Sequence, residues 1–277
     1  MKAMIFPGQG SQFLGMGKTL FREFSDLVDE ASEELGYSVD ELCLYDPEGK
    51  LHSTLYTQPS VYVVSTLSYL SAMVDNTAPD YVAGHSLGEY SALFASGALD
   101  FISGLRLVSQ RARLMSSIEN GAMAAIVGLH EEDVRRVLLY SGLTALDIAN
   151  INAPEQIVIS GPRELIAAAK SSFVLAGAKH YILLKVSGAF HSRYMEAIVN
   201  QFDAYLKKVA FGALAIPVIS NVTAREYRDQ SVRQMLSQQL IKPVLWEQSI
   251  RYLRDLGVTD FQEIGPGSIL SRLISRI

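Results

Sequence analysis

Asp80–Leu99 reads DYVAGHSLGEYSALFASGAL: a short apolar run, a turn of small residues, then an apolar helical pattern. A strand that ends in G-x-S-x-G and runs into a helix forms a sharp elbow, because small residues on both sides let the backbone reverse and expose the central side chain. Gly84, Ser86 and Gly88 hold those positions. Ser86 is therefore either a nucleophile or an N-cap in a glycine-rich turn. Both readings imply strand followed by helix, and so an α/β fold.

The flanking sequence extends that texture. Lys2–Phe6 is a short apolar run stopped by PGQG, a buried strand entering a glycine-rich loop. QPSVYVVSTLSYLSAM (58–73) is apolar all round, the mark of a buried helix, with Pro59 expected in its first turn. Phe101, Leu105, Val108, Ala112 and Met115 share one face of a later helix that also carries Arg106, Arg111 and Arg113. After Gly121 the rhythm changes. AMAAIVGL, EEDVRRVLLYSG, LDIANIN, QIVISG, RELIAAAKSSFVLAG and HYILLKV read strand, helix, strand, strand, helix, strand, the split βαβ order of a ferredoxin-like unit. The expected layout is a discontinuous α/β domain, 1–121 and 188–277, interrupted by a small domain at 122–187. In the second segment IPVISNV and DFQEIG read as strands, VRQMLSQQL and WEQSIRYLRDLG as helices.

Composition narrows the function. With 277 residues, 49% of them apolar, the chain can bury a substantial core. A net charge of -5 gives no reason to expect nucleic acid. Cys43 is the one cysteine, which rules out an intrachain disulfide and leaves no Cys/His spacing for a metal. No apolar stretch has the length of a signal core or a membrane span, so a cytoplasmic protein is expected.

A serine hydroxyl needs a base within hydrogen-bond reach, in practice a histidine. His52, His85, His130, His180 and His191 are available. His85 adjoins Ser86 and points elsewhere in a tight turn. His191, in SGAFHSRYM, follows a small-residue turn where the chain re-enters the large domain, and is the expected base, set against the ordinary packed or exposed histidine. FPGQGSQ (6–12) offers backbone N–H groups to an oxyanion. It is not a dinucleotide loop, since position 13 is Phe13, and Gly17-Lys18-Thr19 is not a P-loop, since position 12 is Gln12.

FPGQGSQ, GHSLGEY, QRARLM, GAMAAI, GAFHS, ISNVTA, QLIKPVLW and EIGPG, in this order, resemble the malonyl-CoA:acyl-carrier-protein transacylases over nearly the whole chain. The resemblance implies an α/β-hydrolase-like large domain with an inserted ferredoxin-like small domain. It implies that Ser86 carries the acyl group as an ester, that His191 is the base, and that the N–H groups of Gln9 and Leu87 hold the oxyanion. Arg111 would grip the malonyl carboxylate, as a guanidinium offers two parallel donors and keeps its charge. Gln239 matches the neutral group that the family places behind the histidine, with Asp260 and Glu263 as acids in reserve. His85 would line the pocket, and Phe190 would restrict substituents on the acyl α-carbon, favouring malonyl over methylmalonyl.

The implied partners are malonyl-CoA and an acidic acyl carrier protein with a phosphopantetheine thiol, and no further cofactor. Lys185, Arg193, Arg225 and Arg272 are the expected basic contacts of that carrier. DIANINAPEQIVISG and AFHSRYM look closest to the free-standing, trans-acting acyltransferases of bacterial polyketide synthases, and the family implies a monomer. Three alternatives have different requirements. An editing acyl hydrolase needs no carboxylate clamp, a non-catalytic carrier-docking module needs no intact site, and a general esterase needs an acid between Ser86 and His191, where Asp100 is the candidate outside the insertion.

Overall fold

The computed structural model describes residues 1–75, 78–228 and 231–277. The chain opens with β1 (Lys2–Phe6), α1 (Leu20–Glu23), α2 (Ser25–Leu35), α3 (Val39–Leu44), α4 (Thr54–Asp75), β2 (Tyr81–Gly84), α5 (Gly88–Ala95) and α6 (Phe101–Ser116). Next come β3 (Gly121–Val127), α7 (Glu131–Tyr140), β4 (Asp147–Ala153), β5 (Gln156–Pro162), α8 (Arg163–Ala168), α9 (Lys170–Leu175) and β6 (His180–Leu183). A 3-10 turn at Arg193–Met195 leads into α10 (Glu196–Leu206), β7 (Val218–Ile219), α11 (Val232–Gln239), α12 (Trp246–Asp255), β8 (Asp260–Glu263) and α13 (Ile269–Ile274).

Two four-stranded sheets result among the described residues, one parallel in the order β7-β2-β1-β8 and one antiparallel in the order β4-β5-β3-β6. Strand periodicity explains how the parallel sheet is covered. On β1, Met4 and Phe6 enter the core that includes Leu67, Tyr90 and Leu93, while Ala3 and Ile5 enter the one that includes Trp246, Ile250 and Leu273. Helices therefore flank both faces. On β3 the same alternation sends Ala122, Ala124 and Ile126 under Val134 and Phe173, and Met123 and Ala125 toward the main core.

Register places the site. Phe6 pairs with Gly84, so both strands end together and PGQG lies against HSLG. The approach is close: a Cβ on Gly8 would lie 2.4 Å from the His85 carbonyl oxygen. The antiparallel sheet is tied to the segment leading into α12 where Val244 bonds β4, from the Ile151 N–H to the Val244 oxygen at 2.9 Å and from the Val244 N–H to the Ala149 oxygen at 2.9 Å. A crevice at the carboxyl ends of parallel strands, walled by the second sheet, is where an α/β fold accommodates a ligand.

Some expectations need correction. Helix α4 starts at Thr54, so Pro59 is its sixth residue and not in its first turn. Its first turn is made by the N–H groups of Tyr56 and Thr57 bonding Ser53. The pattern 163–177 divides into α8 and α9, and IPVISNV pairs only over Val218–Ile219.

Candidate active site

The elbow at Ser86 is enforced by sterics on both sides. A Cβ on Gly84 would sit 1.9 Å from the Gly88 carbonyl carbon, and one on Gly88 would sit 2.0 Å from the Phe6 oxygen. Ser86 has φ 52°, a left-handed conformation costing an L-residue of order 1 kcal/mol or more. Asn221 braces it, accepting from the Ser86 N–H at 2.6 Å and donating from Nδ2 to the Gly84 oxygen at 2.6 Å.

His191 Nε2 lies 2.7 Å from Ser86 Oγ. Its Nδ1 lies 2.7 Å from the main-chain oxygen of Gln239. A carbonyl oxygen only accepts, so Nδ1 carries the hydrogen and Nε2 is left as the acceptor facing the hydroxyl. That is the tautomer a base requires. His191 also holds a positive φ, 55°. Burial, and then the Arg111 cation, push its pKa down to about 3.

Arg111 is 1% exposed, the buried member of an otherwise exposed arginine trio on α6. Its Nη2 donates to Ser86 Oγ at 3.0 Å and to Gln239 Oε1 at 3.0 Å, and its Nη1 to Gln58 Oε1 at 2.7 Å. Its Nε has no acceptor among the described residues. A buried cation bonded to the Ser86 hydroxyl and otherwise to neutral amide oxygens can take a carboxylate from a bound molecule.

Gln239 departs from the expected arrangement: its peptide oxygen, and not its side chain, stands behind His191. The side-chain Nε2 instead donates to the Ser86 carbonyl at 2.9 Å and to the Glu89 carboxylate. The reserve acids lie elsewhere in the hydrogen-bond network. Glu263 accepts from the N–H groups of Leu270 and Ser271, Asp100 caps α6 through Ser103 N–H, and Asp260 is exposed.

The cleft around Ser86, about 840 Å³ measured out to its open mouth, is also lined by Gln9, His85, Arg111, Phe190 and His191. His85 Nε2 meets Asn152 Oδ1 at 2.8 Å, which ties the elbow to β4. The N–H groups of Gln9 and Leu87 have no acceptor among the described residues. Of the expected basic contacts, Lys185, Arg193, Arg225 and Arg272 are all exposed. Arg193 is paired with Asp147, and Arg225 stacks on Tyr252 at 4.4 Å.

Sequence reasoning missed Gln58, Glu89, Asn152, Asn221 and Tyr227. Four of them lie in stretches already singled out, Gln58 in QPSVYVVSTLSYLSAM, Glu89 in GHSLGEY, Asn152 in DIANINAPEQIVISG and Asn221 in ISNVTA. A first-turn glutamate, however, reads as solvated unless its burial is known.

Residues 3–276 match the acyl transferase domain family. The polyketide biosynthesis malonyl CoA-acyl carrier protein transacylase BaeC of Bacillus velezensis is 52% identical, over 100% of this chain and 96% of its own. The crystal structure of a malonyl CoA-acyl carrier protein transacylase from Burkholderia pseudomallei superposes with TM-score 0.96 at 46% identity, covering 100% of this chain and 97% of that one. A malonyl transacylase solved in complex with a type II polyketide synthase acyl carrier protein superposes with TM-score 0.95 at 36% identity, covering 100% and 92%. This chain belongs to the malonyl-CoA:acyl-carrier-protein transacylase family of acyl transferases.

Proposed function

We propose that this chain moves a malonyl group from malonyl-CoA, through an ester on Ser86, to the phosphopantetheine thiol of an acyl carrier protein in polyketide or fatty-acid biosynthesis. The observation that carries this reading is Arg111, buried and 3.0 Å from the hydroxyl that His191 polarises. A malonyl ester puts its carboxylate two carbons beyond the ester carbonyl, within reach of a guanidinium already touching Oγ.

His191 Nε2 takes the hydroxyl proton as Oγ attacks the thioester carbonyl. The N–H groups of Gln9 and Leu87, without another acceptor among the described residues, bond the developing oxyanion. The C–S bond then breaks and the CoA sulfur leaves, taking the proton from the imidazolium. In the second half-reaction His191 accepts the carrier thiol's proton, the sulfur attacks the Ser86 ester, and Oγ is reprotonated. A peptide carbonyl supports the imidazolium less than a carboxylate does. Thiols ionise near pKa ~8.5, so sulfur leaves with little proton assistance and a weak base suffices.

His85 lines the pocket and Phe190 limits the acyl α-carbon, which favours malonyl over methylmalonyl. Residues 1–121 and 188–277 form an α/β-hydrolase-like catalytic domain and 122–187 a ferredoxin-like subdomain. The antiparallel order β4-β5-β3-β6 supports the latter, since it places the first and third strands of the insertion side by side at the centre. The protein acts as a cytoplasmic monomer, as the family resemblance implies; no helix among the described residues is long and apolar enough to cross a membrane.

Intact-protein mass spectrometry after mixing with malonyl-CoA, methylmalonyl-CoA or acetyl-CoA tests the reading. A malonyl adduct is expected, absent in Ser86→Ala and replaced by acetyl preference in Arg111→Ala. If none of the CoA esters gives an adduct while acyl carrier thioesters are hydrolysed, the editing hydrolase is the correct function.

A further inference from the structure

Glu89 is a fully buried carboxylate that the mechanism above does not use. Its Oε1 accepts from the Asn221 N–H at 2.9 Å and the Tyr227 hydroxyl at 2.6 Å, and its Oε2 accepts from Gln239 Nε2. All three partners donate, which suits the ionised form. Burial raises its pKa to about 7, and those donors together with Arg111 pull against that rise.

The consequence runs through one amide. On one side of the Gln239 side chain stand two acceptors, the Glu89 carboxylate and the Ser86 carbonyl, so the NH₂ must lie there. Oε1 is thereby turned to Arg111 Nη2 at 3.0 Å. Arg111 itself forms no ion pair among the described residues; its direct partners are two amide oxygens and a hydroxyl. A carboxylate bonded directly to the guanidinium would occupy the donors a substrate carboxylate needs. One amide further back, it offsets the buried charge without pairing directly with Arg111, whose three donated bonds go to neutral oxygens that a substrate carboxylate can displace.

We propose that Glu89 is a positioning residue of the acyl-recognition site: by orienting the Gln239 amide it holds Arg111 over Ser86, and so determines how strongly the enzyme prefers an acyl group bearing a free carboxylate. This rests on the reading of Arg111 given above. In Glu89→Gln the carbonyl can take Asn221 and Tyr227, which leaves the new NH₂ facing the Gln239 NH₂. Gln239 then flips, presenting donors to Arg111 and an oxygen to the Ser86 carbonyl. Loss of that direct contact outweighs the removal of a negative charge one amide away.

The test is kcat/KM for acylation of Ser86 by malonyl-CoA and by acetyl-CoA, in wild type, Glu89→Gln, Glu89→Asp and Arg111→Ala, with Tm measured for each. Glu89→Gln is expected to lower the malonyl-to-acetyl ratio roughly tenfold, through a higher malonyl KM, the scale of one lost charge-assisted hydrogen bond. Glu89→Asp keeps the charge but withdraws it by one methylene, and is expected to lower the ratio by a smaller factor; it decides the matter if Glu89→Gln does not fold. An unchanged or raised ratio overturns the proposal, and so does an equal fall with both substrates, which a merely structural role would give. Arg111→Ala separates the two readings. If it leaves the ratio intact, the assignment of Arg111 fails; if it abolishes the ratio while both Glu89 variants keep it, only the role of Glu89 fails.

Discussion

His191 directs Nδ1 to the main-chain oxygen of Gln239 at 2.7 Å, so a peptide group stands where serine hydrolases place a carboxylate. Burial penalises the charged imidazole, and the Arg111 cation adds to that cost. The pKa, held down to about 3, is the result.

The rate of Ser86 acylation should therefore show no acid limb at the ordinary histidine value of about 6.5. His191 stays neutral, and competent as a base, well below it. Stability behaves differently. The folded pKa lies below the unfolded one, so the unfolded chain binds the extra proton, and the stability contributed by neutral His191 is full above about pH 6.5 and falls away on acidification toward 3. Glu89 has the opposite sign: its raised pKa stabilises the fold below about 4.5 and that contribution fades as pH rises through 7. Thermal melts from pH 5 to 8 should show a smaller acid loss in His191→Gln than in wild type, and a pH-rate inflection near 6.5 would contradict the assignment.

Replacing the nucleophile and its base should give separable phenotypes. Ser86→Ala should form no covalent adduct with any CoA ester. His191→Ala keeps the nucleophile and the Gln9 and Leu87 amides, so slow acylation should persist, lower by about 10²–10⁴. Quenched-flow mass spectrometry distinguishes the two, and wild-type rates in His191→Ala would remove it from the mechanism.

Gly88→Ala should be far more damaging than an ordinary helix glycine replacement. The added methyl meets the Phe6 carbonyl, which is main chain and cannot rotate away. A loss of roughly 3 kcal/mol or more, at the upper end of overpacking costs, is expected in urea titration. Because Phe6 pairs with Gly84 and leads into the Gln9 loop, acylation should fail even where the variant folds.

Reading the chain alone recovered much of this arrangement, for a physical reason. Periodicity and glycine placement are local, and they located β1, β2, the elbow at Ser86 and the strand and helix sequence of residues 121–183. Long-range contacts leave no such trace. Arg106, Arg111 and Arg113 share one helix, and only packing makes Arg111 the buried one. The role of Gln239 in supporting His191 through its peptide oxygen is independent of side-chain identity and cannot be seen in a sequence at all. Nothing local marks Glu89 as buried, and its partners Asn221 and Tyr227 lie 132 and 138 residues away.

Phe190 offers a test of substrate width. The residue is 5% exposed and lines the cleft beside His191, its ring packed so tightly that a Cβ on Gly188 would meet it at 2.4 Å. Phe190→Ala should therefore act in two ways. Truncating a buried phenyl costs about 3 kcal/mol or more of stability, visible as a lower Tm. It also opens space beside the acyl α-carbon, and a methyl group in an apolar pocket is worth about tenfold or more in relative kcat/KM. Methylmalonyl-CoA should gain on malonyl-CoA by that factor in a competition assay read by intact mass. Because the Arg111 fork is untouched, acetyl-CoA should gain nothing relative to malonyl-CoA. A parallel rise for acetyl would mean that Phe190 supports the carboxylate clamp and does not bound the α-carbon.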